Sequence, residues 1–184
     1  MSFEKFGPFA PAFEPEGLSV PGYLELFALN EPRAQVALDL IERALSAGDP
    51  RPWVDLLLGD PDWRPHLIGA MAVILDEGRS LDPGCLWAAM DRSSWVSPQL
   101  AVTAYLVDGR FAARARERLE GGRASAKLCA ALAHLCRKLP SSSGWRDGPL
   151  APDVDDAAGI AQRWHDGLLP QFALRGRKLG PKEA

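Results

Sequence analysis

Residues Gly59–Asp76, GDPDWRPHLIGAMAVILD, align with Asp91–Asp108, DRSSWVSPQLAVTAYLVD, at a spacing of 32. Trp63 meets Trp95, Ile68 meets Leu100, Ala72 meets Ala104, Ile74 meets Leu106 and Asp76 meets Asp108. A proline follows each tryptophan, Pro65 two residues later and Pro98 three residues later. Proline near a first turn is tolerated because that N–H has no helical partner. A short apolar segment precedes each copy, WVDLLL before the first and CLWAAM before the second. Each unit therefore reads as a short helix, a polar turn carrying tryptophan, and a longer helix. Apolar periodicity explains part of the match, but it does not demand paired tryptophan–proline turns. A weaker third copy runs from Leu119 to Leu139, where GGRASAKLCAALAHLC replaces the tryptophan turn.

Outward from this core the period stays helical. After Pro32, the residues Val36, Ala37, Leu40, Ile41, Ala44 and Leu45 make one apolar face, which Gly48, Asp49, Pro50 and Pro52 end. Phe111, Ala115 and Leu119 carry another helix before Gly121 and Gly122, and Leu128, Ala131, Leu132 and Leu135 carry the next. A loop with SSSG, Pro149 and Pro152 spans 140–152. A last helix then presents Ile160, Trp164 and Leu168, with Asp153, Asp155 and Asp156 at its start, where acids suit the dipole. No alternating strand pattern competes. The fold class is all-α: a short α-solenoid of stacked helical hairpins, about eight helices in all. The division expected is an arm at 1–31, one helical domain at 32–176 (units 53–84, 85–116 and 117–140), and a frayed basic tail at 177–184. Five prolines in the first 32 residues argue for an extended arm. Phe3, Phe6, Phe9 and Phe13 argue that it lies along the body or straps a partner subunit.

The hairpins resemble the repeats of HEAT-like and armadillo-like solenoids over residues 50–140. Their period of 32 is shorter than the roughly 40 residues usual there. The resemblance implies a curved stack of helix pairs with an extended binding surface, and it implies no chemistry.

Composition narrows the function classes. The chain has 184 residues, 47% of them hydrophobic, and a net charge of -3. That is enough for one core, without a global basic field for nucleic acid. Residues 1–108 hold 7 basic and 16 acidic side chains, whereas 109–150 hold 9 and 3. Either the two regions complement each other across the fold, or the first offers an acidic face to a basic partner. Cys85, Cys129 and Cys136 are too few for a disulfide framework. The N-terminus lacks a basic-then-apolar leader, and no stretch approaches about 20 apolar residues. The expected setting is cytoplasmic.

No phosphate loop, metalloprotease motif, paired zinc cysteines or serine elbow occurs. Cys129 and Cys136, seven apart, read as small buried hydrophobes. No cofactor and no catalytic residue is expected. Arg110, Arg114 and Arg118 share a helix face at i, i+4 and i+8, so a DNA-associated repeat protein is one alternative, although nucleic acid fits the acidic remainder poorly. The reading favoured is a non-enzymatic protein-binding module, most narrowly a bacterial immunity or antidote protein masking a basic toxin. A scaffold or adaptor subunit is the other alternative. The partner surface is expected on the repeat turns, at Asp60, Asp62, Arg64 and His66 and at Asp91 and Arg92, with Trp145 as an exposed aromatic. Helix capping competes for the aspartates.

Overall fold

The computed structural model describes residues 2–77, 79–122, 124–139 and 155–176, and these are all-α. The 140–152 loop and the tail from 177 lie outside them. Among the described residues, nine α-helices follow a 3-10 segment at Glu4–Ala12: α1 Gly22–Glu25, α2 Pro32–Ser46, α3 Arg51–Gly59, α4 Trp63–Leu75, α5 Gly84–Asp91, α6 Ser97–Val107, α7 Phe111–Glu120, α8 Ala126–Cys136 and α9 Asp155–Leu174. No helix among the described residues is long and apolar enough to cross a membrane.

Three antiparallel pairs follow in succession, α3 with α4, α5 with α6, and α7 with α8. Their second helices form a row, in which α4 touches α6 and α6 touches α8. On one side α3 lies against α5; α2 closes the row beyond α4, and α9 packs on α6 and α8. Consequently α4 is buried from Pro65 to Leu75, and α6 is buried along its whole length. A helix that is apolar all round requires neighbours on every side, and both sequences, PHLIGAMAVIL and SPQLAVTAYLV, meet that description. Gly69 admits a close approach between α3 and α4: a Cβ there would stand 2.8 Å from Leu58 Cγ.

The repeated aspartates share one job. Asp76 follows α4 and accepts the amides of Ser80 and Leu81, at 2.8 and 2.9 Å. Asp108 follows α6, where it accepts the Arg110 amide (2.9 Å) and the Trp87 indole N–H (2.7 Å). Each thereby fixes the turn that leads into the next hairpin.

One expectation needs correction. The N-terminal segment is not extended. It coils into 3-10 turns broken at Gly7, whose φ of 53° lies in the left-handed region. The prolines are compatible because their fixed φ suits such turns. Phe3, Phe6, Phe9 and Ala12 recur every three residues, the period of a 3-10 helix, and Phe6, Phe9, Ala12 and Phe13 are fully buried. Phe13 stacks on Phe3 and Phe6 with ring centroids 4.2 and 5.1 Å away. A Cβ on Gly7 would meet the Trp53 ring at 2.6 Å, so the segment seals the bundle beside α3. The chain's own α9 covers α6 and α8. Its Trp164 donates to the Leu26 carbonyl (2.8 Å), and Trp164, Leu168 and Phe172 are buried.

The arm is thus part of the core. Replacing Phe13 with alanine should lower the unfolding free energy by about 3–5 kcal/mol, the usual cost of emptying a buried phenylalanine site. Urea unfolding followed by circular dichroism measures it. A loss within about 0.5 kcal/mol, as for a surface site, would contradict the packing described.

Candidate functional site

The turns α3–α4 and α5–α6 lie side by side with the start of α8. Trp63 and Trp95 are in ring contact, with centroids 4.9 Å apart. The position 32 residues after Trp95 is Lys127, and its ammonium stands 4.7 Å above the Trp95 ring. Lys127 Nζ also donates to the Trp95 carbonyl at 2.7 Å. The repeat therefore continues as a ladder of Trp63, Trp95 and Lys127, with a cation on the third rung. Phe27, from the segment after α1, joins the ladder 5.9 Å from Trp63 and 6.0 Å from Trp95. Tyr23 meets Trp63 edge-on at 5.8 Å. Arg64 stacks on Trp63 at 5.1 Å.

These rings are not all sealed. Trp95 is 57% exposed, Leu24 41% and Phe27 37%. Trp95 is nonetheless held in place by the rings of Trp63 and Phe27 and by the hydrogen bond from Lys127. The turn that presents it includes Ser93 at φ 61°, an uncommon conformation for a residue other than glycine. A rigid, exposed tryptophan among apolar neighbours is what interface anchors look like.

Behind the rings lies a polar clamp between the two turns. The His66 Nε2–H donates to the Asp60 carbonyl (2.8 Å), which leaves Nδ1 to accept the Ser94 hydroxyl (2.7 Å). Burial holds the His66 pKa below its ordinary value of 6.5, with the charge on Arg92 acting in the same direction. Arg92 reaches from the second turn to the Leu58 carbonyl at the end of α3.

The expected partner residues divide accordingly. Arg64 and Arg92 reach solvent at this edge. Asp60 and His66 do not, being 6% and 2% exposed, so their expected place on a partner surface is corrected. Asp60 accepts the Lys5 ammonium and the Asp62 amide (2.9 Å). Burial works to raise its pKa, but those two bonds outweigh it and hold the carboxyl below the usual range. Asp62 is the N-cap of α4, accepting the Arg64 amide at 3.0 Å, so capping accounts for it. Asp91 belongs elsewhere, in a groove between α5 and α7. It takes two bonds of 2.8 Å from Arg118, whose guanidinium lies 4.5 Å over Trp87. Trp145 lies outside the described residues.

That groove, of about 510 Å³, is lined by Trp87, Arg110, Arg114 and Arg118. Arg114 pairs with Asp108 at 3.3 Å. Two arginines of the basic run thus neutralise acids from the first 108 residues, and here the charge asymmetry is complementarity within the fold. The thiols are not activated: burial raises Cys85 to about 12 and Cys136 to about 11. No protein family, characterised protein or solved structure matches this chain.

The spacing of 32 pairs Trp95 with Trp63, and the two rings do touch. The exposure of Trp95 and the arrival of Phe27 had no local signal. Lys127 was legible only by extending the spacing of 32 one step further.

The clamp predicts a pH dependence. The folded chain binds a proton on His66 less readily than the unfolded chain does. This stabilisation is complete above about pH 6.5 and is lost as pH falls below it towards the lower folded value. His134 is also lowered by burial and acts in the same sense. Urea unfolding at several pH values should show His66→Gln with a shallower loss of stability between pH 7 and 5 than the parent. Identical slopes would show that His66 is not held neutral.

Proposed function

We propose that the chain is a non-enzymatic protein-binding module that docks a protein partner on its turn edge. The observation that carries this reading is Trp95, 57% exposed yet in ring contact with Trp63 and with the exposed Phe27. Fixing an aromatic anchor before binding lowers the ordering cost of association. Apolar groups at the surface are common singly, but a contiguous aromatic group rimmed by polar side chains marks interaction sites.

An antidote or immunity role is the narrower form of this reading, in which the partner is toxic by itself. It fits a small helical binder, and a basic toxin would be met by acids outside this edge, since the charges stacked on the rings are cations. An adaptor role fits the same edge. It no longer draws support from the N-terminal phenylalanines, which serve the core. The nucleic-acid alternative is weakened in the α5–α7 groove, where Arg114 and Arg118 already hold carboxylates.

Affinity capture with the tagged full chain, compared with Trp95→Ala, tests the reading. The expected result is one stoichiometric protein captured by the parent, with affinity lowered at least about 30-fold (about 2 kcal/mol) in the variant. The melting temperature should change little, because the ring is more than half exposed. Toxicity of the captured partner expressed alone would support the antidote form. Equal capture by both proteins would overturn the assignment of the turn edge.

A further inference from the structure

Two cations at the turn edge have no ion-pair partner among the described residues. Several arginines among the described residues are matched to acids, including Arg51 to Asp49, Arg64 to Asp62, Arg114 to Asp108, Arg118 to Asp91 and Arg175 to Asp39 and Glu42. Lys127 and Arg92 have no carboxylate within ion-pair distance among the described residues. Each is anchored instead through one bond to a backbone carbonyl, of Trp95 and of Leu58. An ammonium carries three donors and a guanidinium five, so both retain donors for an incoming group. Lys127 is partly buried, which lowers its pKa, with Asp156 opposing that shift from a distance. A partly desolvated ammonium lying on an exposed indole gains more from a carboxylate than a solvated one does.

We infer that the turn edge takes an acidic peptide segment, an aliphatic or aromatic anchor seated against Trp95 and Phe27 and flanked by Asp or Glu side chains that pair with Lys127 and Arg92. This inference rests on the protein-binding reading and gives the partner its chemistry. The local sign is opposite to that of the surrounding sequence, since residues 1–108 are strongly acidic while the side chains stacked on the rings are cationic. Single-stranded nucleic acid shares the anionic and stacking character, but it needs open ring faces. Here Lys127 covers a face of Trp95 and Arg64 a face of Trp63. The ring edges and remaining apolar surface suit a side-chain anchor better than a stacked base.

A displayed random-peptide library, selected on the full chain and counter-selected on Trp95→Ala, tests this directly. Enriched peptides should carry Asp or Glu beside a large apolar residue. The best peptide, labelled and titrated, should bind Lys127→Glu and Arg92→Glu about tenfold or more weakly than the parent, with affinity falling as salt rises. Lys127→Met, which keeps an unbranched apolar stem at the ring, should lose affinity in the same direction while the melting temperature is retained. Trp95-dependent peptides that are neutral or basic would overturn the acidic occupant and leave the binding reading standing. Failure to select any Trp95-dependent peptide would count against both. Displacement of the bound peptide by oligo-dT at low salt, with tighter binding of oligo-dT, would replace the acidic segment with nucleic acid.

Discussion

Everything in this molecule is arranged around two helices that have no solvent face. The residues of α4 and α6 are buried almost without interruption, so each must be enclosed on every side. The amphipathic helices α2, α3, α5, α8 and α9 supply that enclosure, each giving up only its apolar face. A backbone helix satisfies its own N–H and C=O groups, which lets two such rods lie side by side in an apolar interior. Some of the polar groups that remain inside are satisfied by nearby partners. Thr103 returns its hydroxyl to the Gln99 carbonyl at 3.0 Å, and the Trp87 indole N–H meets Asp108.

Enclosure has a functional consequence. In an open stack of hairpins the inner row would be a binding face, but here α9 lies over α6 and α8. The proposed recognition surface is instead the edge where the turns emerge. Turns cannot be sealed in the same way, because their backbone polar groups need water or side-chain partners. The His66 bridge, the Asp62 cap and the Arg92 reach satisfy those groups and fix the turns relative to one another. Trp95 is consequently held firmly while staying exposed. The edge thus combines exposed apolar surface with well-positioned side chains.

Charge follows the same logic of local satisfaction. The acidic first part and the basic stretch after residue 108 meet in the α5–α7 groove, where Asp91 and Asp108 take Arg118 and Arg114. Summed charges over a segment therefore say little about the field at any one patch. At the turn edge the sign reverses, because Asp60 is spent on Lys5 and Asp62 on Arg64, while Lys127 arrives from a distant helix with no carboxylate within ion-pair distance among the described residues.

The sequence alone determined the class, the helices after Pro32 and the pairing of Gly59–Asp76 with Asp91–Asp108. These depend on periodicity and on turn chemistry, which act over a few residues. It also contained the every-third-residue phenylalanines of the N-terminal segment, but five prolines argued more loudly for an extended chain. Only the tertiary structure decided that His66 and Asp60 are interior clamps, that Phe27 joins Trp63 and Trp95, that Lys127 stands over Trp95, and that α9 covers the row of inner helices. Each of those facts joins residues about 30 to 140 positions apart or depends on what another element leaves uncovered. Local pattern carries no information about exposure at a turn, because exposure there is fixed by which neighbours the rest of the chain brings to it.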